Sequence, residues 1–195
     1  MDIEIRKLSP KFAEEYVRFF DETPHDHAVD EHKCYCVCWC NTDYENADFS
    51  SREQRRAVAL EYVRENNIQG YLACHGEKIV GWCNANTKAD CLKCCSWRRF
   101  MSYVPIDDNP DIKIKSIFCF VIVPDMKRMG IATQLLKRVC KDAVQDGFDY
   151  VEVYPYNESS WQSSDFGGHY EMYIKNGFTV YCETEQGIVM RKKLK

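Results

Sequence analysis

The sequence lacks a basic excess: 26 Lys and Arg stand against 30 Asp and Glu, a net charge of −4 over 195 residues. Proteins that grip phosphate backbones cluster positive charge, so no nucleic-acid footprint is present. Also missing is any apolar run of about 18 residues, the length a membrane helix needs. The start, MDIEIRKLSP, has no apolar centre of the secretory kind, so a cytoplasmic location is expected, with no nucleic acid or membrane as partner. Glycines are few, nine in all, and none sits in GxxxxGK[ST] or GxGxxG. The two commonest glycine-rich nucleotide turns are therefore excluded.

Cysteine is abundant, with twelve residues. A short exported chain would use them as a disulfide scaffold, but this chain is neither short nor visibly exported. Several occupy apolar positions of strand or helix patterns, where a thiol behaves as a small hydrophobe. Reduced thiols are the expectation. In CYCVCWC, Cys34, Cys36, Cys38 and Cys40 would share one face if the segment were a strand. With Cys91, Cys94 and Cys95, or with the nearby His25, His27 and His32, they offer zinc ligands. Successive C-x-C steps fit structural zinc poorly, however, so no metal is expected. A soft substrate-side loop with Trp39 as an aromatic wall is the stronger reading.

No repeat or linker divides the chain, so residues 1–195 read as one domain. IEIRKL alternates as a half-buried strand. SPKFAEEYVRFFDE opens a helix with Ser9 as N-cap and Pro10 at the first position. SSREQRRAVALEYVREN starts a second helix, with Ser51 and Gln54 at capping-box spacing. GYLACHGEKIVGWCNAN reads as a hairpin turning at Gly76, and IKSIFCFVIV as a central strand. Between them TKADCLKCCSWRRFMSYVPIDDNPD reads as a long connection, the kind of loop that often carries function. From Gly130 to Asp146 the pattern is helical: Ile131, Leu135, Val139 and Ala143 form a stripe widened by Leu136, Cys140 and Val144. FDYVEVYPY is a strand, HYEMYIKN a short helix stopped by Gly177, and FTVYCETEQGIVMRKKL a final hairpin. This order predicts a mixed α/β sheet covered by helices.

The stretch VIVPDMKRMGIATQLL passes from a strand through proline, two cations and a glycine straight into a helix. A helix start leaves amide N–H groups without intrahelical partners, and the dipole favours an anion there. Gly130 and Ala132 allow a ligand close to the backbone.

On these residues the sequence resembles the GNAT superfamily of N-acetyltransferases, whose acyl-CoA motif is a strand, proline, Arg or Gln, two residues, Gly, any residue, and Gly or Ala. Lys127 stands where Arg or Gln is usual. The resemblance implies that amides of Lys127, Arg128, Met129, Gly130, Ile131, Ala132 and Thr133 hold the coenzyme A pyrophosphate. It implies that Val121 and Val123 pair with the pantetheine arm, where a bulge splays the sheet. MYIKNGF is similar to the family's LYEKxGF and makes Tyr173 the acid that protonates the departing thiolate. A phenol of pKa ~10 suits that role. IVGWC, CFVIVP and VEVYP together are similar to a bacterial cysteine-rich GNAT subgroup without an assigned substrate. The implied fold is α/β (α+β): a mixed, mostly antiparallel central sheet, splayed at the acyl-CoA site and flanked by helices.

Many members keep a Glu on the strand before the coenzyme loop, but IKSIFCFVIV holds no carboxylate. Glu152, which interrupts YVEVYP, is the candidate base; an exposed strand charge or a satisfied ion pair are its other readings. Asp107, Asp108 and Asp111 read as solvated loop residues. The expected activity is acetyl transfer from acetyl-CoA to a primary amine by direct attack in a ternary complex, with a homodimer left open. A covalent route through Cys119 lacks a visible base partner. The rivals are a non-catalytic acyl-CoA sensor of the same fold and a cysteine-organised metal or interaction protein.

Overall fold

The computed structural model describes residues 2–24, 29–40, 48–155 and 166–195, with only the backbone given for Cys95. The elements run β1 (Glu4–Lys7), α1 (Ala13–Glu22), α2 (Arg52–Arg64), β2 (Gly70–His75), β3 (Lys78–Thr87), α3 (Lys88–Cys91) and α4 (Cys95–Phe100). They continue β4 (Ile114–Ile122), α5 (Ile131–Gln145), β5 (Tyr150–Val153), α6 (Tyr170–Lys175), β6 (Thr179–Thr184) and β7 (Gly187–Lys193). All seven strands form one sheet in the order β1-β2-β3-β4-β5-β7-β6. Only the β4–β5 pair is parallel; the others are antiparallel. The mixed, mostly antiparallel sheet expected from the sequence is what forms.

Each face of the sheet takes one amphipathic layer. Tyr16, Val17, Phe19 and Phe20 are the buried stripe of α1. Tyr16 meets Trp82 of β3 edge-to-face at 5.0 Å between centroids, which makes Trp82 core, as its apolar strand suggests. On the opposite face α5 buries Ile131, Leu135, Leu136, Val139, Cys140 and Ala143. Burying one such aliphatic side chain contributes roughly 1.5–3 kcal/mol, so this stripe alone fixes α5 against the sheet. Val144, expected to widen the stripe, is exposed instead.

Local signals succeed where a side chain closes its own bond. Ser51 and Gln54 form the capping box that starts α2. Ser9 makes no side-chain cap: the first turn closes as a 3-10 helix, and the Phe12 N–H that a cap would use donates to the Ser9 carbonyl at 3.0 Å. The long connection is not all loop, since α3 and α4 lie within it.

Two irregularities fall at one place on β4. Asn84 pairs with Cys119 and Ala85 with Ile117, which leaves Phe118 as the extra residue of a bulge. Parallel pairing with β5 ends at Ile117 opposite Val153. Beyond that point β4 continues to Ile122 with β3 as its ladder partner.

Candidate functional site

In an antiparallel ladder, alternate residues turn their N–H and C=O groups toward the partner strand. The Val123 amide donates to the Val80 carbonyl at 3.1 Å, continuing the register in which Trp82 faces Val121. Val121 and Val123 therefore direct their polar backbone toward β3. The residues between them, Phe120 and Ile122, direct theirs toward the slot that β5 has left. This corrects the expectation that Val121 and Val123 pair with a ligand, and the reason is strand parity. The Phe120 amide donates to the Phe166 carbonyl at 2.7 Å, which shows the slot accepting a hydrogen-bonding guest.

At the end of β4 a 3-10 turn over Pro124–Met126 leads into the expected cradle. The Lys127 amide donates to the Pro124 carbonyl at 3.2 Å, so the run of helix-start donors begins one residue later than expected. Arg128 lies at φ 65° and Gly130 at φ 81°, the latter as the N-cap of α5. Left-handed residues in such a turn gather successive amides into an anion-binding concavity. The first amide to reach back into α5 is that of Gln134, onto the Gly130 carbonyl at 3.0 Å. The amides of Ile131, Ala132 and Thr133 thus belong to the helix start, and Arg128, Met129 and Gly130 are exposed beside them. A Cβ at Gly130 would meet nothing within 4 Å, so its backbone angle, not crowding, selects glycine.

Tyr173 of α6 is fully buried on the α5 face, with its ring set against Phe178. Its hydroxyl donates to the Gly167 carbonyl at 2.5 Å. Gly168, at φ 78°, permits this approach: a Cβ there would stand 2.6 Å from the hydroxyl. Burial pushes the phenol well above its usual pKa, with the nearby thiols of Cys83, Cys119 and Cys140 adding to the effect. The group is a proton donor at any physiological pH. Consecutive carbonyls, those of Phe166 and Gly167, thus cap a slot amide and the Tyr173 hydroxyl.

Glu152 is also fully buried, but on the other face. Its Oε1 accepts from the Tyr154 hydroxyl at 2.6 Å and lies 2.9 Å from Lys88 Nζ. Its Oε2 accepts from Arg191 Nε at 2.6 Å and from Lys88 Nζ at 3.1 Å. Arg191 in turn holds Asp107 through two bonds of 2.8 and 2.7 Å. Ser116 of β4 joins at 3.0 Å through Tyr154. A base must reach the proton it removes. Glu152 reaches a satisfied ion pair instead, so it does not line an open cleft. Asp107 is no solvated loop residue either. Partial burial works to raise its carboxyl, but the bonds from Arg191, with Lys88 behind them, outweigh it and hold the group below the usual range.

The cysteine segment is not a strand. Tyr35 and Cys36 take left-handed angles and a 3-10 turn follows over Val37–Trp39. The segment therefore has no single cysteine face: Cys36 accepts from Trp82 Nε1 at 3.3 Å and Cys40 from Asn84 Nδ2 at 3.9 Å. Among the described residues no group of three or more His, Cys, Asp or Glu is placed to hold a metal ion. His25 and His27 lie outside the described residues. Trp39 stacks on Phe118 at 4.7 Å, and Phe118 stacks on Tyr154 at 5.2 Å, an aromatic file beside the point where the sheet divides. In WRRF, Trp97 is buried with its edge against that file, whereas Phe100 is exposed. No described helix is long and apolar enough to cross a membrane.

The fold has many structural relatives. A GNAT-family acetyltransferase from Streptococcus pneumoniae is 18% identical, aligned over 100% of both chains, with a TM-score of 0.53. An N-acetyltransferase from Staphylococcus aureus Mu50 is 13% identical over 100% of both chains, at 0.52. The PaiA N-acetyltransferase of Thermoplasma acidophilum, solved in complex with coenzyme A, is 17% identical over 99% of both chains, at 0.50. A search of curated proteins by sequence finds no match. Identities this low establish the shared fold alone. The family model for the acetyltransferase (GNAT) family, however, matches residues 9–163, most of the chain and the whole path from α1 through the cradle and β5. The protein belongs to the GNAT family of acetyltransferases, which act on acyl-CoA.

Proposed function

We propose that the protein transfers an acetyl group from acetyl-CoA to the nitrogen of a small primary amine, by direct attack in a ternary complex. One observation carries this reading. The slot amides of Phe120 and Ile122, the cradle at residues 128–133 and the Tyr173 hydroxyl are joined through β4 and the segment at residues 166–167. The cradle suits a pyrophosphate, because its donors are main chain at a helix start. The slot suits the amide-bearing pantetheine arm, because β4 there offers a ladder edge that no strand occupies. Acetyl-CoA supplies the activated acyl group.

Within this reading Phe166 and Gly167 hold the places of the donor, and their carbonyls give way when it enters. The freed Phe120 and Ile122 amides then orient the arm. Tyr173, kept protonated by its burial, donates its hydroxyl proton to the departing thiolate. The amine nitrogen forms the new C–N bond as the C–S bond breaks, and its surplus proton leaves through solvent. Glu152 takes no part as a base. Its ion pairs tie β5, β7 and α3 together where the sheet divides, which makes it a positioning residue.

A sensor that binds acyl-CoA without turnover is the second reading. It is favoured by the absence of a free carboxylate on β4, where Ser116 is occupied with Tyr154. Thiol release from acetyl-CoA, measured across a panel of primary amines, tests between them. Amine-dependent release that falls in Tyr173→Phe supports catalysis. Tight acetyl-CoA binding with no release for any amine would establish the sensor.

A further inference from the structure

A recess of about 260 Å³ opens on the Glu152 face of the sheet, outside the slot and the cradle. Its inner wall is Trp39, which stacks on Phe118, the first β4 residue beyond the β5 pairing. Beside it Cys40 Sγ accepts from Asn84, the register partner of Cys119 on β4. The recess therefore begins against the divided part of the sheet, on the side opposite Tyr173. Its volume lies just under the range for drug-sized ligands, which suits a small molecule.

The chemistry of the lining is one-sided. No Lys or Arg lines it, although Lys115 Nζ holds the Gln69 side-chain oxygen from behind at 3.4 Å; its one carboxylate, Asp90, stands exposed with Lys93 at a loose 3.9 Å. Asn67 commits its NH2 group to Glu65 at 3.0 Å, and Asn86 commits its own to Asn84 at 2.5 Å. Those amides therefore have carbonyl oxygens to offer a guest. The Cys40 thiol is pushed up to about 12 by burial, with Cys94 adding to it, so it stays neutral at physiological pH. Trp39 and Tyr62 add aromatic rings to the lining. Acceptor oxygens, aromatic rings and a mouth carboxylate recognise an ammonium group and leave an acidic group unpaired.

We propose that this recess is the acceptor subsite and that it takes a small amine carrying a second basic nitrogen and no acidic group. The reacting nitrogen lies at the Trp39–Phe118 end, and the second, protonated nitrogen lies toward Asp90. The proposal rests on the acyltransfer reading for its reacting end and on the lining alone for its ligand class.

A series of equal chain length tests it: 1,4-diaminobutane, butylamine and 4-aminobutyrate as acceptors at saturating acetyl-CoA. The expected order of kcat/KM is diamine first, butylamine lower by about threefold to tenfold, as an exposed ion pair and cation–π contact allow. 4-Aminobutyrate should fall at least about tenfold below the diamine, because like charge meets Asp90. Asp90→Asn, an exposed position that leaves the fold intact, should narrow the ratio of diamine to butylamine. Equal use of 4-aminobutyrate and the diamine, or a ratio that Asp90→Asn does not change, would overturn the assignment. Calorimetric titration with 1,4-diaminobutane separates the two readings. Asp90-dependent binding without acetyl transfer retains the recess and sinks the acyltransfer; acetyl transfer without Asp90-dependent binding does the reverse.

Discussion

The donor slot offers its guest main-chain amides from one continuous stretch, β4 and the turn after it, whereas the recess across the sheet offers side chains from widely separated segments. Main-chain donors tolerate exchange of their side chains, so Lys127 in place of the usual Arg or Gln costs the cradle little. Side-chain sites have no such tolerance. The Glu152 cluster shows the contrast most sharply, since Lys88, Asp107, Glu152 and Arg191 meet from four places in the chain. Removing any one leaves its partners charged and buried.

That contrast predicts how each region breaks. Tyr173→Phe is the largest expected effect: kcat should fall by about 10²- to 10⁴-fold, the usual share of a positioned proton donor. KM for acetyl-CoA should stay within a few-fold, because the main-chain donors remain; steady-state kinetics of thiol release read both. Glu152→Ala should destabilise the fold by about 3–5 kcal/mol, measured by denaturant unfolding, because Lys88 and Arg191 lose their shared counter-ion. Replacing Glu152 with Gln should recover part of this by keeping the Tyr154 hydrogen bond. Gly130→Ala should cost roughly 1–2 kcal/mol from the left-handed angle alone and weaken acetyl-CoA binding. No side chain is displaced there, so a larger loss of stability would mean that the turn is held by contacts rather than by its backbone.

Two pH effects are smaller. A donor whose pKa is raised stays protonated, so the transfer rate should climb as the amine deprotonates and show no Tyr173-dependent fall below about pH 10. Asp107 has the opposite sign. Its folded pKa lies below the unfolded value near 3.9, so its contribution is present above that value. The contribution is lost as pH falls through the folded pKa. Asp107→Asn should flatten the acid limb of the stability curve by about 1 kcal/mol or less, read from unfolding midpoints between pH 5 and 2.

The same contrast governs what the sequence could reveal. The cradle was legible because strand, turn and helix start are adjacent in sequence and need only main chain. The α5 stripe was legible because its period is local. Strand parity is the further signal: once Val123 is paired with β3, Phe120 and Ile122 follow as the slot residues. Glu152 stands out in the sequence as a charge within an apolar strand. What it meant depended on Lys88, 64 residues away, and Arg191, 39 residues away, which no local pattern connects. CYCVCWC misled because two left-handed residues, Tyr35 and Cys36, break the alternation that a strand would impose. The caps on Phe120 and Tyr173 come from Phe166 and Gly167, whose role lies entirely in their carbonyls and therefore leaves no mark on side-chain identity.

A crystal structure with acetyl-CoA bound tests the central claim most directly. The account predicts the pantetheine arm in the slot with its polar groups on the Phe120 and Ile122 backbone, the pyrophosphate on residues 128–133, and the Phe166 and Gly167 carbonyls displaced. Acetyl-CoA bound elsewhere, with Phe166 still on Phe120 and Gly167 still on Tyr173, would contradict it.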